Sequence, residues 1–425
     1  MPGPNAILIR NGLLIDGKGG LPVQDAGLLV AGEKIAWVGP MAGSPAVEPE
    51  TTIIDASAKA ILPGLIEAHL HLSYRDVRDL PDLDLKCPPE ETTIRAVAHA
   101  RLCLESGYTA AVSAGALHRV DVAMRDAIRA GIIEGPRLIA AGRDICATAG
   151  MLDWNGSWLK LGMEGLGIFA DGVDACRRAA RMVIKEGADL VKVYVTGEGM
   201  LFECTAEEVT YSEEEIRVIC EEAHRRGKMV SAHSRGAEGC KMAVRAGVDI
   251  LDHGTLVDEE AIDLIAERNV FVVPALNYQI AVLERGPEFG FPAEFLDRTM
   301  YRQELDAAYV NMRRLFHLGV RVLPGGDYGF AWCPHGQYAR DLQTFVEKIG
   351  LTPMQTLVAA TRWGSELMRM EDRIGTLEQG KLADLLLVDG NPLDDIRILQ
   401  DKRRLALVMQ GGQAKSGTLG LQYRM

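Results

Sequence analysis

The alternation of apolar and polar positions divides the chain into three stretches. Residues 6 to 56 carry short apolar runs separated by turn residues, without a helical period, which predicts a small β module. The pair Asn11-Gly12 between two of these runs predicts a hairpin turn. After about residue 375, short apolar runs punctuated by glycine return. We therefore expect the two ends of the chain to combine into one β-sandwich.

The middle of the chain alternates short apolar runs with amphipathic helical stretches. One helix is marked by a capping box between Ser212 and Glu215 and by Gly227 at its end. Eight runs have the composition of buried strands: ILPGLIEAHL, TAAVSA, RLIAA, LVKVYV, MVSAH, VDILDH, VFVVPAL and VRVLPGG. Strands alternating with helices in this number favour a (β/α)8 barrel over its rival, a doubly wound sheet. The predicted fold is α/β: a TIM barrel over residues 60–375, with the halves of a small β-sandwich domain at 1–59 and 376–425.

Composition narrows the range of partners and compartments. The chain of 425 residues has a formal net charge of −13 and no basic stripe, which argues against binding to nucleic acid or an anionic membrane. No run reaches the ~18 apolar residues that span a bilayer, and the first residues lack the pattern of a secretory signal. The 8 cysteines are scattered without a C-x-x-C pair, which favours reduced thiols and a cytoplasmic protein.

The segment His69-Leu70-His71 is the strongest chemical signal. It directly follows an apolar strand-like run. Residues i and i+2 of a strand point to the same side, so both imidazoles can reach one metal ion. The end of a barrel strand can face the active-site mouth, although two ordinary loop histidines would leave the same trace.

Lys192 in LVKVYV is the second signal. Strand alternation places it on the same face as Leu190 and Tyr194. A lysine in a buried strand is costly unless its charge is removed or paired. Carboxylation by CO2 would turn the amine into a carbamate able to bridge two cations. A lysine that reaches solvent from the strand end is the alternative.

Three further groups end strand-like runs. His233 closes MVSAH, and His253 closes VDILDH one strand–helix unit later. Each alone fits a core or loop histidine, but together they occupy the same end of successive strands. Asp327 closes the last run after Gly325-Gly326, where a helix cap or turn aspartate is the alternative.

These metal-compatible groups lie at the ends of five predicted strands that open onto one face of the barrel. The full set is His69, His71, Lys192, His233, His253 and Asp327. Such ligands suit two divalent metal ions, with zinc favoured over manganese, cobalt or iron. Paired ions can share a hydroxide, lower its pKa and polarise a carbonyl. Asp327 can take the hydroxide proton and return it to a leaving nitrogen, so Asp327 and Lys192 are the candidate catalytic residues.

At these residues the sequence resembles the amidohydrolase superfamily, and within it the binuclear branch with a carboxylated lysine. LIRNGLLIDG and GKLADLLLVDGNPLDDI are similar to the family's sandwich halves, and LPGLIEAHLHL is similar to its first barrel strand. Within the family, the likeness is to imidazolonepropionase-related members, including prolidase-like enzymes and Xaa-Arg/Lys dipeptidases.

The resemblance implies a role for each ligand. One ion would be held by His69, His71 and Asp327, and the other by His233 and His253. Carboxylated Lys192 would bridge both ions together with the attacking hydroxide. Asp327 would double as the general acid and base.

The resemblance also implies a Gly-Gly-His turn after the third strand. Here the segment is ATAGMLDWNGSW, with Met151 in place of the histidine, so a polar contact expected in the dipeptidases is missing. Candidate substrate contacts are Tyr278, Tyr194, Arg143, Trp154 and His335. Arg143 and Arg235 lie in predicted mouth loops and could hold a carboxylate, with structural ion pairing as the favoured alternative for each. Other residues that either line an apolar pocket or pack the loops are Trp158, Phe169, Met200, Phe202 and Trp332.

These residues predict a metal-dependent hydrolase of a C–N bond in a small molecule, such as an N-acyl amino acid or a dipeptide. One alternative is a hydrolase of aromatic amides, carbamates or phenylureas, and a second is an imidazolonepropionase-like cyclic amidase or deaminase. Family deaminases carry a glutamate three residues after the fifth-strand histidine, whereas His233 is followed there by Gly236. A metal-free scaffold protein is the non-enzymatic alternative, which the complete ligand set argues against. We also expect a homo-oligomer.

Overall fold

The computed structural model describes residues 6–159, 165–199 and 204–419, so Met200 and Phe202 lie outside the described residues. The chain divides into two compact units. The first unit comprises Met1–Glu67, Arg101–Ala111 and Gly336–Met425, and the second comprises Ala68–Ala100 and Val112–His335. The boundaries expected near residues 60 and 375 stay predictions from the sequence.

The strands of the described residues are β1 (Ile7–Leu14), β2 (Val23–Ala31), β3 (Lys34–Pro40), β4 (Thr52–Asp55), β5 (Lys59–Pro63), β6 (Leu65–Leu70), β7 (Tyr108–Ser113), β8 (Arg137–Ile139), β9 (Asp144–Cys146), β10 (Gly167–Phe169), β11 (Leu190–Tyr194), β12 (Met229–Gly236), β13 (Ile250–Leu256), β14 (Phe271–Val273), β15 (Leu385–Asp389), β16 (Leu405–Gln410) and β17 (Gln413–Ser416).

The α-helices of the described residues are α1 (Leu80–Leu85), α2 (Pro89–Glu105), α3 (Val120–Arg129), α4 (Val173–Lys185), α5 (Glu213–His224), α6 (Ala237–Ala246), α7 (Glu259–Arg268), α8 (Leu276–Arg285), α9 (Ala293–Arg298), α10 (Tyr301–His317), α11 (Arg340–Thr344), α12 (Pro353–Val358) and α13 (Gly364–Leu367). The helix expected after Ser212 is α5. The Ser212 hydroxyl caps its first turn reciprocally with Glu215, and Gly227 follows it with a left-handed φ of 69°.

The first unit is built on one sheet that takes strands from both ends of the chain. Its order is β17-β16-β15-β5-β1-β2-β3, with β4 beside β1. The antiparallel pairing of β5 with β15 joins the two ends, for example through Leu62 and Leu386. Apolar side chains from both halves, among them Leu28 and Leu407, are buried in one core. The sequence expectation that both chain ends share one β-sandwich is confirmed.

The hairpin expected at Asn11-Gly12 is wrong. Strand β1 runs straight through both residues, and its register with β2 shifts on either side of Gly12. Asn11 has a left-handed φ of 65°, so the pair forms a bulge within one strand. A residue that tolerates positive φ, followed by glycine, is compatible with a hairpin turn and with a β-bulge alike.

The second unit carries the parallel strands of the barrel. Six of them pair in the order β10-β9-β11-β12-β13-β14, and β6, β7 and β8 form a further sheet. The third barrel strand is broken in two: β8 pairs with β7, whereas β9 pairs with β11 through Ile145 and Val193. This break interrupts the regular alternation of side chains along the third strand, which becomes important for the site.

A short irregular segment supplies the eighth strand and closes the barrel. Val322 pairs with Val272 of β14, and Tyr328 pairs with Leu70 of β6. The Asp327 amide donates to the His69 carbonyl oxygen at 3.0 Å. The approach is close enough that a Cβ atom on Gly325 would lie 2.8 Å from the His69 nitrogen, which explains the glycine there. The TIM-barrel prediction is confirmed.

No helix among the described residues is long and apolar enough to cross a membrane. All eight cysteines are described, and each is a free thiol.

Candidate active site

His69, His71 and Asp327 meet at the carboxyl ends of neighbouring strands, and each is buried. The Nδ1 atom of His71 lies 2.9 Å from the Gly115 carbonyl oxygen, and Nδ1 of His69 lies 3.0 Å from Asp252 Oδ1. With Nδ1 directed at these oxygens, both rings turn Nε2, a potential ligand atom, towards the space that Asp327 also faces. The Nε2 atoms of His71 and His69 lie 3.0 and 3.6 Å from Asp327 Oδ1.

The surroundings of Asp327 Oδ1 show whether a cation would fit this site. This oxygen is buried and has no hydrogen-bond partner of acceptable geometry among the described residues. One ligand atom from each of His69, His71 and Asp327 lies within 4.8 Å of the others. Burial raises the pKa of Asp327, but the neighbouring His69 and His71 outweigh it and hold the pKa well below its ordinary value. An ionised, unsatisfied oxygen between two imidazoles fits a divalent cation.

His233 and His253 form a second pair on strands β12 and β13. His253 Nε2 lies 2.9 Å from His233 Nδ1, while His233 Nε2 lies 3.1 Å from the Gly197 carbonyl oxygen. The rings of His253 and His69 are 5.5 Å apart, so the two histidine pairs adjoin. Burial and the positive charge of Arg235 hold the pKa values of both histidines well below the ordinary value, so both rings are neutral. His233 Nε2–H can then donate to Gly197 and His253 Nε2–H to His233, which leaves His253 Nδ1 as the nitrogen with an unused lone pair.

Asp252 is a central residue that sequence reasoning missed. Its carboxylate binds His69 and also accepts hydrogen bonds from Lys192 Nζ and Ser231 Oγ. Strand alternation would send Asp252 and His253 to opposite faces. His253 instead has a left-handed φ of 74°, which breaks the alternation, so both side chains reach the interior. The acidic residue directly before the histidine was the available signal.

Lys192 projects into the barrel interior and is 1% exposed. Its Nζ pairs with the Asp252 carboxylate, and the Tyr194 ring lies 5.6 Å away. Tyr194 in turn stacks on His233 with 4.6 Å between the ring centroids. The alternation expected for LVKVYV is confirmed, and it places Lys192 next to the carboxylate that orients His69.

A cavity of about 880 Å³ opens above these residues within the second unit. Aromatic side chains dominate one wall: Tyr278 and Phe330 are 4.8 Å apart, and Phe330 stacks on Trp332 at 5.5 Å. Trp158 is 89% exposed and reaches the rim. The lining comprises His69, His71, Tyr74, Arg78, Asp79, Leu80, Pro81, Ala149, Gly150, Met151, Asp153, Trp154, Gly156, Trp158, Tyr194, Glu198, Cys204, His233, His253, Tyr278, Phe291, Phe295, Asp327, Phe330 and Trp332.

Three of the five named substrate contacts, Tyr278, Tyr194 and Trp154, line this cavity, and the other two do not. Arg143 is held by an ion pair to Glu186 at 2.5 Å. His335 stacks on His99 with 4.3 Å between ring centroids. Among the other apolar candidates, Trp158 and Trp332 line the cavity, whereas Phe169 is not in the lining.

A buried ionic cluster lies beside the cavity, in agreement with the structural ion pairing expected for Arg235. Arg235, fully buried two residues after His233, donates to Glu198 at 2.6 Å and to Glu304 at 3.1 Å. Burial and the Glu304 carboxylate raise the pKa of Glu198 to about 7, against the opposing effect of Arg235. An arginine that continues the His233 face of its strand was the signal in the sequence.

A barrel with a buried His–His–Asp group that could hold a metal ion is typical of hydrolases with their active site at the barrel mouth. The amidohydrolase family model matches residues 60–415, and the chain belongs to this family. It is therefore a hydrolase acting on carbon–nitrogen bonds.

Individual relatives agree with this assignment. Ochratoxinase from Aspergillus niger is 30% identical over 430 residues, covering 96% of this chain and 86% of the relative. Imidazolonepropionase from Mycolicibacterium smegmatis is 26% identical, covering 86% of this chain and 85% of the relative. The structure of a prolidase complexed with N-methylphosphonate-L-proline matches with a TM-score of 0.88 and 27% identity, covering 97% of this chain and 100% of the prolidase. The sequence expectation of an imidazolonepropionase-related, prolidase-like amidohydrolase is confirmed.

Proposed function

We propose that this chain is a binuclear metal-dependent amidohydrolase. The observation that carries the proposal is the buried Asp327 Oδ1, which faces the Nε2 atoms of His69 and His71 and lacks a hydrogen-bond partner among the described residues. His233 and His253 supply the ligand atoms for a second ion, with zinc the favoured metal for such donors over manganese, cobalt or iron. Divalent cations bound here would polarise the scissile carbonyl and lower the pKa of water.

We further propose that Lys192 is carboxylated and bridges the two ions. A buried ammonium carries three N–H donors. Among the described residues, Asp252 is the hydrogen-bond partner of Lys192 Nζ. Leaving the other donors unsatisfied in a side chain that is 1% exposed is costly. Carboxylation removes the positive charge and two of the donors, which supports the carbamate as the working form.

Asp327 is the proposed general acid and base. Its position at the cavity floor lets one carboxylate oxygen accept a proton from the attacking water. The same oxygen then returns the proton to the nitrogen of the leaving amine. The low pKa of Asp327 keeps it ionised and ready for the first transfer, while the main chain on either side holds it beside His69.

The proposed substrate is an N-acyl amino acid or dipeptide with an aromatic or bulky apolar side. The cavity volume of about 880 Å³ is in the range of drug-sized ligands, and the Tyr278–Phe330–Trp332 wall offers ring faces for stacking. The prolidase relative was solved with a derivative of proline, which supports an amino acid as one half of the substrate.

Aromatic amides, carbamates or phenylureas form the second candidate class. One observation favours them. Among the described residues that line the cavity, Arg78 is the single arginine or lysine, and it is exposed. A substrate carboxylate would therefore have limited cationic partners other than the metal ions, whereas a neutral aromatic substrate would need none.

The test is metal analysis of the purified chain followed by a substrate panel. We expect about two divalent ions per chain, since the donors form two adjoining groups. The panel holds N-acyl amino acids, dipeptides, anilides, carbamates and phenylureas, each with an aromatic and a small aliphatic member. Cleavage confined to anilides and ureas would replace the first candidate with the second. Purification without bound metal and without metal-stimulated activity would refute both. A cytoplasmic location and a homo-oligomeric state stay predictions, checked by cell fractionation and light scattering.

A further inference from the structure

Asp144 is a buried carboxyl group that the proposed chemistry leaves unused. It begins strand β9, the second piece of the broken third barrel strand, and it is 0% exposed. Neither of its side-chain oxygens has a hydrogen-bond partner among the described residues. A buried polar group without a partner costs about 1–3 kcal/mol, and more when it is charged, so its presence calls for a reason.

The strand register places Asp144 beside Lys192. Ile145 pairs with Val193 in the parallel strands β9 and β11, so the preceding residues, Asp144 and Lys192, are also neighbours. Neighbouring residues of parallel strands point to the same face, so the Asp144 side chain shares the face of Lys192. On its other side, β11 places Ser231 opposite Lys192. On the two neighbouring strands, Lys192 is therefore flanked by the carboxyl group of Asp144 and the hydroxyl group of Ser231.

The other polar groups around Lys192 are already engaged. Asp252 accepts hydrogen bonds from Lys192, His69 and Ser231, and Ser231 donates its hydroxyl there. The Asp144 carboxyl group instead rests against Gly115, where any side chain would collide with both of its oxygens. Gly115 also provides the carbonyl that orients His71. Among the described residues, the Asp144 oxygens thus have unused hydrogen-bonding capacity beside Lys192.

We propose that Asp144 is a positioning residue that holds the carboxylated side chain of Lys192. This inference rests on the proposed binuclear centre. Carboxylation joins Nζ to the carbon of CO2 and releases two protons from the ammonium to water. One N–H and two new oxygens remain at the lysine end. A carboxylate oxygen of Asp144 can accept a hydrogen bond from that N–H, and the two new oxygens stay available for metal ions. It acts on the metal centre through Lys192 and needs no contact with substrate.

The test compares the wild-type chain with Asp144→Ala and Asp144→Asn. Each protein is stripped with a chelator and reloaded with zinc over a series of ¹³C-bicarbonate concentrations. Zinc content reports occupancy, and the ¹³C carbamate resonance reports the modified lysine, so neither readout depends on activity. Asparagine keeps the shape and can donate or accept a hydrogen bond, so it is the matched control.

We expect Asp144→Ala to need about ten- to hundredfold more bicarbonate for half-maximal zinc binding, because a hydrogen bond to a charged group is lost. Asp144→Asn should stay near the wild type. An unchanged bicarbonate requirement in Asp144→Ala, or equal shifts in both variants, would overturn the role of Asp144 while leaving the carbamate in place. A wild-type chain without the resonance or any bicarbonate dependence would overturn the carboxylated lysine and this inference together.

Folding of the alanine variant is checked separately. Removing a buried polar group that lacks a partner should not lower the melting temperature of the metal-free protein. If the alanine variant is unstable, Asp144→Val restores volume without polar atoms and carries the same expectation. A purely structural role would lower the melting temperature and leave the bicarbonate requirement unchanged.

Discussion

The sheet of the first unit and the strand ends of the second bury opposite kinds of side chain. The first packs residues such as Leu28, Leu387 and Leu407 into an apolar core. The second buries Lys192 and Asp252 in contact with each other. Apolar burial stabilises in proportion to area, whereas buried polar groups cost free energy unless every one is satisfied. The comparison separates residues kept for stability from residues kept for chemistry.

The largest expected effect is on activity and comes from Asp327→Asn. Asparagine preserves the shape but cannot accept the proton of the attacking water. We expect kcat/KM to fall by about 10²–10⁴-fold in zinc-loaded enzyme, with little change in melting temperature. Zinc content is measured alongside to separate proton transfer from metal loss. A fully loaded variant with wild-type kcat/KM would assign the proton transfer to another group.

The reverse pattern is expected for Leu387→Ala in the first unit. Leu387 is fully buried, so its truncation should lower the free energy of unfolding by about 2–5 kcal/mol. Denaturant unfolding measures this loss, and kcat at a temperature where the variant is folded should be unchanged. Leu21→Ala, at a residue 94% exposed in the same unit, is the control and should be nearly silent. A large loss of kcat in the folded Leu387→Ala enzyme would contradict the separation of roles.

Trp158→Ala should change substrate affinity without changing stability. The indole is 89% exposed at the cavity rim, so we expect KM for an aromatic substrate to rise by about two- to tenfold, in keeping with one lost aromatic contact. KM for a small aliphatic substrate should move less. Ile132→Ala removes another exposed apolar side chain, 76% exposed and outside the lining, and serves as the control. Equal changes for both substrates would show that Trp158 does not contact the aromatic group.

The smallest expected effect is a change in the stability of the first unit with pH. The Thr376 hydroxyl, aided by Lys18 and Lys381, lowers the pKa of Glu378 from 4.5 to about 2. Stabilisation by the ionised Glu378 is therefore complete above the ordinary pKa of 4.5 and is lost as the pH falls toward 2. We expect Glu378→Gln to melt slightly below the wild type at pH 6, with the gap closing in this window.

The gap should stay small because the Glu378 side chain is 37% exposed and solvent screens its ion pairs. Glu50→Gln, which removes an exposed carboxylate, is the control and should show no such gap. A gap that widened as the pH fell would contradict the sign of the linkage.

Period-two alternation predicted much of the site. It placed Lys192 with Tyr194, because both lie in the regular strand β11, and His69 with His71, because His71 directly follows the end of β6. It did not find Asp252 or Asp144. The left-handed φ of His253 breaks the alternation beside Asp252, and the third strand is interrupted just before Asp144.

Local turn signals were less reliable than alternation. The pair Asn11-Gly12 indicates only that a positive φ is tolerated. In the folded chain, β1 pairs with β2 along its length, and Asn11-Gly12 therefore forms a bulge and not a hairpin turn. Arg143 carried a charge to the expected mouth of the barrel, but Glu186, 43 residues away, pairs with it. The sequence position of Arg143 contains no trace of that partner.

The main-chain bonds of the eighth strand have a consequence for engineering. The Asp327 amide binds the His69 carbonyl oxygen, and the His71 amide binds the Tyr328 carbonyl oxygen. The Asp327 main chain is thus fastened to the end of β6 by backbone hydrogen bonds on both sides. In the loop that follows, substitutions at Phe330 and Trp332 should therefore reshape the cavity wall while Asp327 keeps its place beside His69 and His71.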